Sequence, residues 1–118
     1  MIETRPWGQF EVLLDAPDCK VKRITIKQNK RISLQRHQRR AETWTCVSGV
    51  VMVELGKTTD QLRHEFICPG ESIKIPQGYV HRATSAGTDK DAVFIETQTG
   101  TYFGEDDIER FQDDYGRA

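Results

Sequence analysis

Turn-forming residues divide most of this chain into short runs of strand-prone sequence. Proline and glycine mark the boundaries at Pro17-Asp18, Pro69-Gly70 and Pro76-Gln77-Gly78, and these residue types favour the dihedral angles of tight turns. The runs between them alternate in polarity or are rich in β-branched side chains, and they show no helical period. Such a pattern is typical of an antiparallel roll made of two sheets. The strands are predicted at residues 9–14, 20–27, 31–37, 43–55 with a pivot at Gly49, 62–68, 72–75, 79–84 and 92–98.

The end of the chain has a different pattern. Residues 105–107 are acidic, which suits the first turn of a helix, and Ile108 and Phe111 are spaced to share one helical face. Gly116 follows as a helix-ending residue. The sequence therefore predicts an all-β fold with a short C-terminal helix.

Length and charge narrow the possible functions. The chain has 118 residues, enough for a single domain (residues 1–118) with one core. Its net charge of −1 gives no electrostatic basis for binding nucleic acid or an anionic membrane. No apolar run reaches the ~20 residues of a membrane span, and the N-terminus lacks a signal-peptide pattern, so we expect a cytoplasmic protein. The three cysteines are widely separated, which argues against a disulfide framework or a Cys-x-x-Cys zinc site.

Two separate stretches carry side chains that suit a metal ion. Gln35, His37 and Glu42 lie in the first stretch, and His81 follows a Pro-Gly turn in the second. Two imidazoles, a carboxylate and a neutral oxygen form a ligand set for a divalent transition metal, with positions left for water or substrate. A single histidine is more often an exposed or hydrogen-bonded residue than a ligand, so the prediction depends on the combined spacing.

That spacing resembles the two motifs of the cupin superfamily. The first motif corresponds to residues 29–49 and the second to residues 70–85, with Asn29, Gln35 and Ser85 replacing Gly, His and Asn of the usual pattern. Short matches along nearly the whole chain are similar to one branch, the type II phosphomannose isomerase (mannose-6-phosphate isomerase) domain. They include residues 5–8, 20–24, 33–37, 40–42, 75–78, 81–82, 98–102, 104–108 and 114–117.

The resemblance implies a fold, a cofactor and partners. The fold would be a cupin double-stranded β-helix, that is, a jelly-roll barrel. The cofactor would be a divalent metal ion, either Zn, Mn, Co, Ni or Fe, held by Gln35, His37, Glu42 and His81. The resemblance further implies a homodimer and a sugar-phosphate substrate. Because related domains are often fused to a mannose-1-phosphate guanylyltransferase, a separate protein of that kind is a further expected partner.

Isomerisation of mannose 6-phosphate to fructose 6-phosphate, which the resemblance implies, needs a base and a site for the phosphate. Glu96 is one candidate base, because it shares a strand face with Gln98, and Lys22 is the other. For each of them the alternative is a solvated strand position. Arg40 and Arg82 flank the proposed ligands and are the candidates for phosphate binding, with Gln98 as a further substrate contact.

Two other functions stay open. Two histidines and a carboxylate also form the facial triad of non-haem iron oxygenases, although Gln35 as a fourth ligand would fill a position that oxygen needs. The third possibility is a non-catalytic module that binds a sugar or a sugar nucleotide. Thr43 favours it, because the related domains have histidine there, and loss of a proton-transfer group would leave the protein slow or inactive. His64 lies outside both motifs and is predicted to be a partly buried residue on an apolar face.

Overall fold

A computed structural model describes residues 2–87 and 89–118, which form two antiparallel sheets. The strands are β1 (Ile2–Arg5), β2 (Gly8–Asp15), β3 (Cys19–Ile26), β4 (Leu34–Arg36), β5 (Arg40–Ser48), β6 (Val51–Gly56), β7 (Arg63–Ile67), β8 (Ser72–Ile75), β9 (Val80–Ser85), β10 (Ala92–Gly100) and β11 (Glu109–Gln112). One sheet has the order β1-β2-β3-β10-β5-β8 and the other the order β11-β4-β9-β6-β7. The predicted all-β roll of two sheets is confirmed. In the described part of the chain, no helix is long and apolar enough to cross a membrane.

The core fills the space between the sheets, and strand alternation determines which side chains enter it. On β5, Trp44 and Cys46 are buried while Thr43 and Val47 face outward. Phe94 of the neighbouring strand β10 is fully buried and packs on Trp44 with ring centroids 4.9 Å apart. Val51 and Val53 of β6 enter the same core from the opposite sheet. Cys46 is therefore a small buried core residue, as the general habit of free cysteine predicts.

Two turns require a residue that tolerates a positive φ. Gly49 joins β5 to β6 with a φ of 74°, and a Cβ there would lie 2.5 Å from the carbonyl oxygen of Asp91. Asn29 has a φ of 61° in the turn after β3. Asparagine tolerates this left-handed conformation better than other residues with a Cβ, so the replacement of the usual cupin glycine at this position preserves the turn.

The predicted C-terminal helix is wrong. Residues 109–112 form β11, which pairs antiparallel with β4. Strand β4 would otherwise expose unpaired backbone groups at the edge of its sheet, and β11 supplies their hydrogen-bond partners. Ile108 and Phe111 form too short an apolar pattern to stabilise a helix against that pairing.

The core position of Phe94 can be tested by truncation. We expect Phe94→Ala to lower the free energy of unfolding by about 3–5 kcal/mol, because it removes a fully buried ring and leaves a cavity. Phe66→Ala is the matched control: Phe66 is 61% exposed on β7, and its loss should change stability by no more than about 0.5 kcal/mol. Urea unfolding of both variants measures the difference, and equal losses would contradict the described packing.

Candidate functional site

A cavity of about 170 Å³ lies between the two sheets. Because one water needs about 15 Å³, it has room for a hydrated ion and part of a small polar ligand. Most of the side chains predicted from the sequence line it. These are Lys22, Gln35, His37, Arg40, Glu42, His81 and Glu96.

Strand pairing brings these residues together from distant parts of the sequence. Gln35 of β4 lies opposite His81 of β9, and Gln98 of β10 lies opposite Glu42 of β5. Directly opposed residues in antiparallel strands share a face, so each pair points to the same side of its sheet. His37 follows β4 immediately and enters the cavity beside them.

His37, Glu42 and His81 form a compact cluster of buried groups. One potential ligand atom from each lies within 4.8 Å of the others. Glu42 Oε2 is 3.4 Å from His37 Nε2, and Glu42 Oε1 is 3.7 Å from His81 Nε2. Gln35 faces the same cavity, and its amide nitrogen donates to the carbonyl oxygen of Ser33 at 3.3 Å, so the amide oxygen is the atom left for an ion.

Backbone carbonyls fix the orientation of both imidazoles. Nδ1 of His37 donates to the carbonyl oxygen of Asp107 at 2.7 Å, and Nδ1 of His81 donates to the carbonyl oxygen of Tyr79 at 3.0 Å. Both rings therefore carry the Nε2 lone pair toward Glu42. Metal-ligating histidines usually have this arrangement, because a hydrogen bond to the second nitrogen selects the tautomer.

The electrostatics of the cluster give each group the charge state that metal binding requires. Burial, assisted by the charge of Arg40 and by the neighbouring imidazole, lowers the pKa of His37 to about 4, and burial also lowers the pKa of His81. Burial alone would raise the pKa of Glu42, but His81, His37 and Arg40 together hold that pKa well below its usual value. At neutral pH the imidazoles are uncharged and the carboxylate is ionised, as in occupied sites.

Arg40 supplies the positive charge nearest to the cluster. Its Nε donates to Glu42 Oε2 at 2.8 Å, and one terminal nitrogen lies 3.1 Å from His37 Nε2. An incoming ion would compete with this guanidinium for the same lone pair. The other terminal nitrogen, NH1, is buried without a hydrogen-bond partner among the described residues.

Glu96 is the other buried carboxylate of the cavity wall. Burial and the charge of Glu42 raise its pKa to about 7, although Arg40 and Lys22 oppose the shift. Gln98, which is fully buried, donates its amide to Glu96 Oε1 at 2.6 Å. It does not line the cavity, so it supports Glu96 and does not reach the cavity as a substrate contact.

Arg82, a candidate for phosphate binding, does not line the cavity. His81 and Ala83 point into the barrel, so Arg82 lies on the opposite face of β9. There it forms a buried ion pair with Glu54, with contacts of 2.8 and 3.1 Å, and donates to Gln112 at 3.2 Å. A residue adjacent in sequence to a lumen-facing histidine necessarily points away from the lumen.

Strand parity also corrects the expectations for Thr43 and His64. Thr43 is exposed on the outer face of β5, so a histidine there would also point away from the cavity that contains Glu42. The threonine therefore removes no group from the cavity. His64 is not partly buried: its side chain is 60% exposed on the edge strand β7, because Ile67 is the residue of that strand that enters the core.

The segment after β10 makes contacts around the site that the sequence does not reveal. Glu105 forms an ion pair with Lys22, whose ammonium also lies 4.3 Å from the Phe10 ring centroid. Asp107 accepts hydrogen bonds from the backbone amides of Gln38 and Arg39 at 3.0 and 2.9 Å. Both acids lie in a stretch that matches the isomerase pattern, but the helix prediction assigned them to a solvated turn. The pairing of β11 with β4 returns this segment to the cavity, where Glu105 forms part of the wall.

Comparison with known proteins shows the family to which this chain is similar. A family model described as "Mannose-6-phosphate isomerase C-terminal" matches residues 2–113. The xanthan biosynthesis protein XanB of Xanthomonas campestris pv. campestris is 42% identical over 114 residues, which is 97% of this chain and 23% of that protein. The alginate biosynthesis protein AlgA of Pseudomonas aeruginosa is also 42% identical, over 97% of this chain and 22% of its own length. A mannose-1-phosphate guanylyltransferase of Salmonella montevideo is 40% identical, over 96% of this chain and 23% of its own length. The chain thus spans under a quarter of the length of these relatives.

Solved structures confirm the predicted cupin roll. The capsular polysaccharide assembling protein CapF of Staphylococcus aureus superposes with a TM-score of 0.84 and 21% identity, covering 95% of this chain and 34% of that one. Oxalate decarboxylase of Lactobacillus farciminis gives a TM-score of 0.80 with 16% identity over 94% of this chain and 33% of its own. At such identities the likeness shows the fold alone.

The raised pKa of Glu96 predicts a specific dependence of stability on pH. Between pH 4.5 and 7 the folded protein holds a proton on Glu96 that the unfolded chain has released, so this group's contribution to stability is lost as pH rises. Glutamine does not titrate, so the stability of Glu96→Gln does not fall with pH through this group. Relative to wild type, the variant should gain up to about 3 kcal/mol between pH 4.5 and 7.5.

Urea unfolding of chelator-treated wild type and Glu96→Gln at several pH values measures this difference. The contributions of the imidazoles to the pH dependence of stability are common to both proteins and cancel in the difference. Parallel stability curves would show that Glu96 titrates normally.

Proposed function

Because the chain belongs to the mannose-6-phosphate isomerase C-terminal family, we propose that it interconverts mannose 6-phosphate and fructose 6-phosphate with the help of a divalent metal ion. The observation that carries the proposal is one cavity that holds both a metal-ligand cluster and a separate buried carboxylate with a pKa near neutral. An aldose–ketose isomerase needs both: a positive centre for the sugar oxygens and a base for the carbon-bound proton.

The residues present suit a divalent ion. Neutral Nε2 atoms of His37 and His81 and the ionised carboxylate of Glu42 would hold it, with the Gln35 amide oxygen as a fourth ligand. These three ligands and the weaker, neutral amide of Gln35 leave coordination positions of the ion open for substrate oxygens. When bound, the ion supplies Lewis-acid stabilisation of the negative charge that develops on those oxygens.

Glu96 is the proposed proton carrier. In its ionised form it takes the proton from C2 of the open-chain aldose; the electrons of that C–H bond form the C1–C2 double bond, and the π electrons of the C1 carbonyl move to its oxygen. Glu96 then returns that proton to C1, while the proton of the C2 hydroxyl passes to the oxygen on C1 and the ketose carbonyl forms at C2. A carboxylate with a pKa of about 7 serves in both directions, because both of its protonation states are populated at neutral pH.

Lys22 and Arg40 have supporting roles in this proposal. Lys22 lines the cavity near Glu96, and its ammonium is held in place by Glu105. It would donate a hydrogen bond to a sugar oxygen as charge develops. The Arg40 guanidinium, whose NH1 lacks a partner within the described residues, would donate to the substrate as well as hold Glu42 in place.

A non-catalytic sugar-binding module is the second candidate. It is favoured by the fact that the relatives are more than four times as long as this chain, so the matched region is one part of larger proteins. A separate mannose-1-phosphate guanylyltransferase would then be its partner. The non-haem iron oxygenase has no comparable support. The homodimer, the cytoplasmic location, the single-domain extent and the identity of the metal remain predictions.

A coupled assay with mannose 6-phosphate tests the isomerase proposal. We expect turnover that is abolished by a chelator and restored by a divalent metal. His37→Ala and His81→Ala should each reduce kcat/KM by at least about 100-fold, because they remove electrostatic stabilisation of the transition state. His64→Ala is the matched control, since this exposed histidine lies on β7 outside the cavity, and it should retain full activity.

Turnover that persists in chelator would contradict a metal-dependent reaction. Tight binding of sugar phosphate without turnover at any metal concentration would support the binding module. Oxygen uptake, followed with an electrode in the presence of Fe²⁺, separates the oxygenase from both.

A further inference from the structure

The wall of the cavity carries more positive than negative side chains. Five basic residues and three acidic ones contribute to it, and these are Arg5, Lys22, Arg40, Arg110 and Arg117, with Glu42, Glu96 and Glu105. Most of the cations have a carboxylate partner. The pairs are Arg5 with Glu3, Lys22 with Glu105, Arg40 with Glu42 and Arg117 with Asp113.

Arg110 is the cation of this wall whose charge is left uncompensated. Its Nε is buried and has no hydrogen-bond partner within residues 2–87 and 89–118. Burial and the charge of Arg117 lower its pKa, with Asp113 and Glu105 only partly opposing the shift. A guanidinium nevertheless remains protonated in proteins. The side chain is thus a half-buried positive charge in the cavity wall, and its buried Nε is a free donor that an anion in the cavity would satisfy.

The position of Arg110 relative to the metal cluster follows from the strand register. Arg110 of β11 lies opposite Gln35 of β4, and Gln35 lies opposite His81 of β9. The three residues form a row across one sheet. Since neighbouring strands are about 4.8 Å apart, the β11 backbone lies roughly 10 Å from that of β9. The row therefore has the proposed ion at one end and an unpaired guanidinium at the other, within a single cavity.

We propose that Arg110, flanked by Arg117, binds the phosphate group of the substrate. This assignment rests on the proposed function, in that an open-chain hexose 6-phosphate carries its phosphate at the end opposite the reacting carbons. The guanidinium of Arg110 matches the planar, bidentate geometry of phosphate recognition, and a phosphate oxygen would give Nε its missing acceptor. Of the candidates suggested by the sequence, Arg82 is paired with Glu54 outside the cavity, and the charge of Arg40 is compensated by Glu42 beside the metal cluster.

The experiment compares the binding of mannose 6-phosphate and of mannose to the full, metal-loaded chain by isothermal titration calorimetry. We expect wild type to bind the phosphorylated sugar more tightly. Arg110→Gln should weaken mannose 6-phosphate binding by about 10- to 100-fold, the loss expected for a hydrogen-bonded charge, and leave mannose binding unchanged. Arg110→Lys should weaken mannose 6-phosphate binding less than Arg110→Gln does, because lysine keeps the positive charge. Arg63→Gln, on the exposed edge strand β7 and paired with Glu65, is the matched control and should bind as wild type does.

The coupled assay separates this proposal from the isomerase proposal. If the chain turns over mannose 6-phosphate, Arg110→Gln should raise KM more than it lowers kcat. Phosphate-dependent binding that is lost in Arg110→Gln, in a protein without turnover, would refute the isomerase and keep the phosphate site. Unchanged binding and KM in Arg110→Gln would overturn the site, even if the wild type is active. Equal weakening of mannose and mannose 6-phosphate would also overturn it, since that result indicates a structural role.

Discussion

The buried carboxylate of Glu42 is the interaction around which the site is organised. A charged group that is 2% exposed is costly unless its environment supplies compensating charge and hydrogen bonds. Arg40 donates to one oxygen at 2.8 Å and the Trp44 indole to the other at 2.9 Å. Trp44 also packs on Phe94 in the core. The hydrophobic core and the site are thus joined through one side chain, so the packing that stabilises the barrel also positions the carboxylate.

The segment after β10 holds His37 and the residues around it in position. The carbonyl of Asp107 selects the tautomer of His37. The Asp107 carboxylate accepts hydrogen bonds from the backbone amides of Gln38 and Arg39, which follow His37. Farther along, Arg31 and Asp114 form a two-contact ion pair at 2.8 and 2.9 Å, which ties the last residues to the loop before β4. The C-terminal segment is therefore fastened to the two segments that flank β4. Loss of these contacts would free both His37 and the wall that contains Arg110.

The sequence is sufficient to predict the all-β roll and the polar residues at the centre of the cavity, although not most of its wall. Turn residues and strand alternation do not depend on distant contacts, and they place Glu42 and Glu96 on inward faces. The spacing of Gln35, His37 and His81 likewise identified the cluster. The sequence failed where a residue's surroundings come from elsewhere in the chain. Residues 109–112 join a sheet edge that lies far away in sequence.

The remaining errors have the same physical origin. Arg82 is next to His81 in sequence, but adjacent strand residues face opposite sides, so it lies outside the cavity. The place of Arg110 in the cavity wall depends on the pairing of β11 with β4, and its Nε has no hydrogen-bond partner in the described structure. Neither property can be read from local sequence. Thr43 appeared to remove a catalytic group because the family pattern specifies a residue type at that position without indicating which way it faces.

Anomalous diffraction from a crystal grown with one equivalent of Zn²⁺ is the most direct test of the proposed metal centre. We expect a single strong peak between the Nε2 atoms of His37 and His81 and the carboxylate of Glu42, at ligand distances of about 2.0–2.2 Å. The Arg40 guanidinium should have moved off His37 Nε2 to admit the ion. Zinc bound only at exposed groups such as His64, with Arg40 still donating to His37, would contradict the metal centre and the isomerase mechanism that depends on it.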